Sequence, residues 1–239
     1  MNEKYNKKYY LLRYTQLVKN KNILLDWQKK MLQFFEESPF STNKNIKILE
    51  FGCGLANFLY VLRRKKYRKT IGLDISRFAL KQIKERYKLI LICRSDCNIP
   101  IKSKSIDVCF VSHVFEHLGK TEFSFLLDEI NRIMKPDGLL ISSHPVHSLV
   151  STLLIFPYLI NLEGDWTHKQ KLFAHSLLIN IRRKFDLIKY SYDHDALGSN
   201  IITYQLSKIF SILGIDDIHN PLFYGNIIIS AKPQKKETD

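Results

Sequence analysis

Apolar and polar positions change period repeatedly along the chain, and each change marks an element. Ile46–Phe51 is almost continuously apolar, as in a strand buried on both faces. Phe58, Val61 and Leu62 then recur at helical spacing, which predicts a helix over Ala56–Lys65. The alternation continues with a strand at Thr70–Asp74 and a helix from Ser76, its N-cap, to Tyr87. Strand Leu89–Arg94, strand Ile106–Ser112 and helix Thr121–Met134 follow, then a turn at Pro136-Asp137-Gly138 and strand Leu139–Ser143. Ahead of this series, residues 1–40 read as an amphipathic helical cap, with Leu24, Trp27, Met31, Phe34 and Phe35 on one face and Ser38-Pro39 as its stop. The rhythm breaks over residues 145–170. A helix near Lys171–Arg182, a strand near Asp186–Tyr192, a helix near Ile201–Leu213 and a strand near Gly225–Ala231 close the chain. Strands alternating with helices predict an α/β fold whose parallel sheet carries helices on both faces.

Composition changes this picture little. With 239 residues, 45% of them apolar, the chain can bury a core for one α/β domain. The formal charge of +14 invites a nucleic-acid partner. However, Lys outnumbers Arg 27 to 10 and Ala occurs only five times, the imprint of an AT-rich genome. The basic run Arg63–Lys69 ends the first helix of the series, where cations suit the helix dipole and solvent. The N-terminus is polar rather than signal-like, and no apolar run reaches membrane-spanning length. Cys53, Cys93, Cys97 and Cys109 lack paired metal spacing and read as free thiols of a cytoplasmic protein.

The chemistry concentrates where the first strand ends, in "ILEFGCGLAN". Gly52 and Gly54 leave no side chain between the backbone N–H groups of the turn and a ligand. A dinucleotide fingerprint would place a third glycine at Asn57; here the small residue is Ala56. Asp74, at the end of the second strand, is placed to take both hydroxyls of a ribose.

Taken in order, "ILEFGCGLANFL", "IGLDIS", "SDCNIPI", "IDVCFVSHVFEHL" and "INRIMKPDGLLISS" resemble the motifs of class I S-adenosylmethionine-dependent methyltransferases of the broad small-molecule type. The resemblance spans about residues 46–144 and departs from the pattern at Ala56 and at Asp137-Gly138. It implies a Rossmann-like, doubly wound, mostly parallel sheet of seven strands over residues 41–239, with the cofactor half at 46–144, a substrate half at 145–232 and an insertion after strand five. It also implies S-adenosylmethionine as cofactor. Glu50, Gly52 and Gly54 would line its methionine end, Asp74 its ribose, and Ile75, Asp96 and Cys97 its adenine. Ser112 and His113 would lie beside the reactive methyl.

Methyl transfer needs alignment of the acceptor and, for a hydroxyl, a base. His113 is the candidate base; His144, His147 and His168 are expected at the same end of the sheet. His113-x-x-Glu116-His117 would share a helical face, with His144 as a further donor, but no metal is assigned. The apolar segment Leu153–Leu162 reads as a lid or an ordinary core helix. The expected acceptor is a small molecule or a glycan- or lipid-linked group, methylated on oxygen. The alternatives are ribose 2′-O-methylation of RNA and a non-catalytic, cofactor-binding scaffold.

Overall fold

The computed structural model describes residues 5–13, 24–87, 90–93, 98–146, 167–193 and 225–234. Seven strands form one sheet: β1 (Lys47–Phe51), β2 (Lys69–Asp74), β3 (Ile90–Cys93), β4 (Ile106–Ser112), β5 (Met134–Val146), β6 (Phe185–Asp193) and β7 (Gly225–Pro233). Their spatial order is β3-β2-β1-β4-β5-β7-β6. β1 to β5 pair in parallel, whereas β7 runs antiparallel between β5 and β6. The architecture is mixed α/β and Rossmann-like. The strand order reverses between β1 and β4, and in such sheets the crevice beyond the carboxyl ends at that reversal receives the ligand.

Among the described residues, six α-helices flank the sheet: α1 (Lys7–Arg13), α2 (Asp26–Glu36), α3 (Asn57–Arg64), α4 (Arg77–Tyr87), α5 (Lys120–Ile133) and α6 (Ala174–Arg182). On one face Phe35 of α2 and Phe58 and Leu59 of α3 pack on Ile48 and Phe110. On the other, Leu126 and Ile130 of α5 and Leu177 and Ile181 of α6 pack on Leu49, Cys109 and Val111. Every one of these side chains is buried, and together they fix the position of the strand ends.

The sequence expectations meet the structure with small shifts at element ends. The larger difference is at Pro136-Asp137-Gly138, expected as a turn ahead of a strand. There β5 begins at Met134 and carries the three residues as a bulge, because Ile106 pairs with Met134 while Val108 pairs with Leu139. Gly138 allows it: a Cβ there would lie 3.0 Å from the Lys135 carbonyl and 3.1 Å from that of Asp107. The basic run is exposed apart from half-buried Arg63 and from Tyr67, which is buried against Phe35, in keeping with a solvated face. The expected lid at Leu153–Leu162, the helix near Ile201–Leu213, and Asp96, Cys97 and His147 lie outside the described residues.

Candidate active site

The carboxyl ends of β1, β2 and β4 open into one cavity of about 840 Å³. Its walls include Glu50, Gly52, Gly54, Asp74, Ile75, Ser112 and His113. Every described residue assigned a cofactor or catalytic role from the sequence therefore faces the same space.

The glycine turn is held by backbone. The N–H groups of Gly52 and Cys53 donate to the Leu73 carbonyl at 2.7 and 3.1 Å, tying the turn to β2. Gly52 and Gly54 have φ of +75° and +48°. A Cβ on Gly52 would stand 2.3 Å from Val114 Cγ2, so only glycine fits. Ala56 takes φ +54° immediately before α3, where the third glycine of the usual pattern would relax the backbone.

Two buried carboxyls frame the turn. Asp74 accepts the Gly54 N–H on Oδ2 and the Ser76 N–H on Oδ1, each at 2.7 Å. Asp74 is therefore also a structural clamp on the turn, a role the sequence motif alone does not reveal. Glu50 is 3% exposed, and its Oε2 has no hydrogen-bond partner. Burial pushes the Glu50 carboxyl well above its ordinary range, and the nearby Asp74 adds to the rise. Burial also raises Asp74, against the lowering effect of its backbone N–H donors. Two desolvated carboxyls beside a glycine turn suit a cationic ligand, because ionising them needs a compensating positive charge.

His113 directly follows β4 at φ +53°, a strained conformation fixed by its N–H bond to the Ser143 carbonyl at 2.9 Å. Its ring packs on Trp27 at 4.3 Å between centroids, and Nδ1 lies 3.4 Å from Glu116 Oε1. Nε2 is buried without a partner. Desolvation pulls the imidazole down to about 4, against the opposing charge of Glu116. The expected helical face through His113, Glu116 and His117 is not formed: only Phe115–His117 makes a short 3-10 turn, and His113 stands before it with its left-handed backbone. His144 is fully buried, stacked on Phe115 at 4.0 Å and 3.4 Å from Glu116 Oε2.

Sequence reasoning missed the roof of the cavity. Tyr5, Tyr9 and Tyr10 line it from the N-terminal segment, and Trp27 and Gln28 from α2. Ser76 Oγ donates to the Tyr5 carbonyl at 2.6 Å, latching this segment to the start of α4. The signal was the helical spacing of the tyrosines; Trp27 had been placed with the core face of α2. Thr121, Glu122 and Phe125 of α5 and Lys169 also line the cavity, with Lys169 Nζ 2.8 Å from Glu122 Oε2.

The fold and the cavity define a Rossmann-like protein with a cavity at the sheet's carboxyl edge. Residues 49–142 match the family model described as "Methyltransferase domain". Among solved structures the chain is similar to a SAM-dependent methyltransferase from Archaeoglobus fulgidus, with TM-score 0.67, 19% identity, 94% of this chain and 99% of that one covered. It is similar to Haemonchus contortus phosphoethanolamine N-methyltransferase 2 in complex with S-adenosyl-L-methionine, with TM-score 0.63, 14% identity, 87% of this chain and 53% of that one covered. It is also similar to the [4+2]-cyclase SpnF, with TM-score 0.61, 15% identity, 86% and 80% covered. No curated protein matches the chain. The methyltransferase-domain match over residues 49–142 and the shared fold support an S-adenosylmethionine-dependent methyltransferase, with S-adenosylmethionine as the cofactor.

Proposed function

We propose that the enzyme methylates an oxygen of a small-molecule or glycan- or lipid-linked acceptor, with His113 as general base. The observation that carries this reading is the unpartnered, buried His113 Nε2 in a cavity wall, on a ring whose other nitrogen faces Glu116. When bound, the cofactor supplies a methyl group activated by its own sulfonium charge. Gly52 and Gly54 let the backbone approach its amino-acid end. The orphaned Glu50 Oε2 receives its ammonium group, and Asp74 uses its remaining lone pairs on the ribose hydroxyls. Ile75 packs on the adenine, and Ser112 lies beside His113 near the methyl. Tyr5, Tyr9, Tyr10 and Trp27 cover the cavity and exclude water.

His113 then takes the acceptor hydroxyl's proton on Nε2. Glu116 steadies the imidazolium that forms, and the tilted stack on Trp27 holds the ring in place. An imidazole lowered to about 4 is neutral at any ordinary pH, and the Glu116 charge raises its basicity toward what proton removal needs. The cavity of about 840 Å³, lined in part by aromatic side chains, favours a small acceptor group over an RNA helix.

The test incubates enzyme with methyl-labelled cofactor and a cell extract, then separates nucleic acid, lipid and small molecules. Label is expected in small molecules or lipids, as an ether or ester, and absent with His113→Ala. Label in RNA would favour the ribose reading, and label on nitrogen would remove the need for a base.

A further inference from the structure

Behind the cavity wall at His113 stand two side chains that do not line it, Glu116 and His144. Glu116 is 1% exposed and His144 fully buried. Glu116 Oε1 lies 3.4 Å from His113 Nδ1, and its Oε2 lies 3.4 Å from His144 Nδ1. Each oxygen of one carboxylate therefore faces one imidazole. Among the described residues, no Lys or Arg stands within ion-pair reach of Glu116. A carboxylate buried this way depends on the donors that the two rings supply.

The backbone holds the three in register. The His113 N–H bonds to the carbonyl of Ser143, the residue before His144 in β5. Backbone N–H groups of Lys169 and Gln170 donate to the Glu116 carbonyl at 2.8 and 3.2 Å, which also brings His168 edge to face with His117 at 4.8 Å. The His144 ring lies nearly parallel to Phe115, with 16° between the planes, and this stack fixes which way its Nδ1 points.

An ionised carboxylate only accepts hydrogen bonds. An imidazole whose Nδ1 faces one carries its proton on Nδ1 and leaves Nε2 bare. Nε2 of both rings is buried without a partner. A bare nitrogen suits such a place better than an orphaned N–H, the rarer fault in native structures. For His113 this is the tautomer whose Nε2 can take a proton.

We propose that Glu116 and His144 are positioning residues for His113: His144 donates from Nδ1 to Glu116 Oε2, which holds Oε1 toward His113 Nδ1 and keeps His113 Nε2 free for the acceptor's proton. When Nε2 takes that proton, the Nδ1–H stays on the His113 ring, and the imidazolium charge rests against Glu116. No proton passes to His144. The kinetic consequence rests on the O-methylation reading; the hydrogen-bonded chain itself does not.

The experiment has two readouts. Long-range proton–nitrogen spectra of the full chain at neutral pH, without cofactor or acceptor, report which nitrogen of each ring carries the proton, with His113→Ala and His144→Asn used for assignment. Both rings are expected as Nδ1–H tautomers. Turnover is then read with methyl-labelled cofactor and the extract fraction that accepts label. His144→Asn places an amide N–H near the position of Nδ1. His144→Leu has nearly the same size and no donor, so loss of the stack on Phe115 is common to both variants. His144→Leu should lower kcat by roughly 10²-fold, the cost of a misplacement of about 1 Å, with KM for the cofactor unchanged and His113 left as a mixture of tautomers. His144→Asn should keep most of the wild-type kcat and the single His113 tautomer. An Nε2–H tautomer of either ring in the wild type, or equal kcat in the two His144 variants, would overturn the proposal. Should His144→Leu fail to fold, the wild-type tautomers decide it alone. Nδ1–H tautomers in both rings together with wild-type turnover in His113→Ala would count against the oxygen reading alone.

Discussion

Replacing Gly52 with alanine tests whether the turn is built as described. Two effects add. At φ +75° an L side chain carries about 1–2 kcal/mol of backbone strain. The new Cβ would also lie 2.3 Å from Val114 Cγ2, so Val114 must move by more than an ångström beside His113. Overpacking of that kind costs about 1–3 kcal/mol. The sum, about 2–5 kcal/mol, is a large fraction of the ~5–15 kcal/mol that stabilises a domain. Urea unfolding of Gly52→Ala, Val114→Ala and the double variant separates the parts. Val114→Ala should restore about 1–3 kcal/mol in the Gly52→Ala background, leaving the backbone strain. Loss below about 1 kcal/mol for Gly52→Ala, or additive losses in the double variant, would refute the clash and the turn geometry with it.

The other predictions are simpler. Ala56→Gly relaxes the left-handed φ of +54° and should stabilise the chain by about 0.5–1 kcal/mol, read as a raised urea midpoint; a lowered midpoint would contradict the strain. His113 and His144 are held at about 4 and about 3 by burial, so the unfolded chain binds more protons than the folded one below pH 6.5. Stability should therefore be full above that pH and drain away as pH falls toward 4, with a shallower slope for His144→Gln; equal slopes in urea titrations at several pH values would argue against it. His113→Ala should lower turnover by roughly 10²–10⁴-fold with cofactor affinity nearly intact. At saturating cofactor, the wild-type turnover should hold until pH approaches about 4, so a midpoint near 6.5 in that profile would show that His113 is not held neutral by burial.

The sheet was legible because its strands announce themselves. Ile48, Leu49, Val108 and Phe110 are apolar in short runs and fully buried, and the glycines mark where β1 ends. Motif order alone brought Glu50, Asp74, Ser112 and His113 to one edge, and the parallel topology placed them around one cavity. Tertiary contact was not legible. Trp27 has the spacing of a core residue on α2, yet its ring packs on His113 in the cavity wall. Tyr5, Tyr9 and Tyr10 line the cavity through contacts between distant parts of the chain, such as the Tyr5 carbonyl with Ser76 and the Tyr10 ring with Phe78. The meeting of His168 with Glu116 and His117 depends on backbone bonds from Lys169 and Gln170, which no local pattern encodes. Asp74 reads as a ribose ligand by motif, while its grip on the Gly54 N–H shows only in three dimensions.

Cofactor titration calorimetry tests the central claim most directly, namely that the glycine turn and its two buried carboxyls hold a cationic S-adenosyl ligand. The wild type should bind S-adenosylmethionine at one site and show no affinity for NAD. Binding should weaken as pH falls, because Glu50 and Asp74, raised by burial, take up protons and lose their charge. Glu50→Gln should weaken binding by about 1.5–3 kcal/mol, the worth of a hydrogen bond to a charged group, and flatten that pH dependence. NAD binding in place of the sulfonium cofactor, or affinity for S-adenosylmethionine unchanged in both Glu50→Gln and Asp74→Ala, would contradict the site.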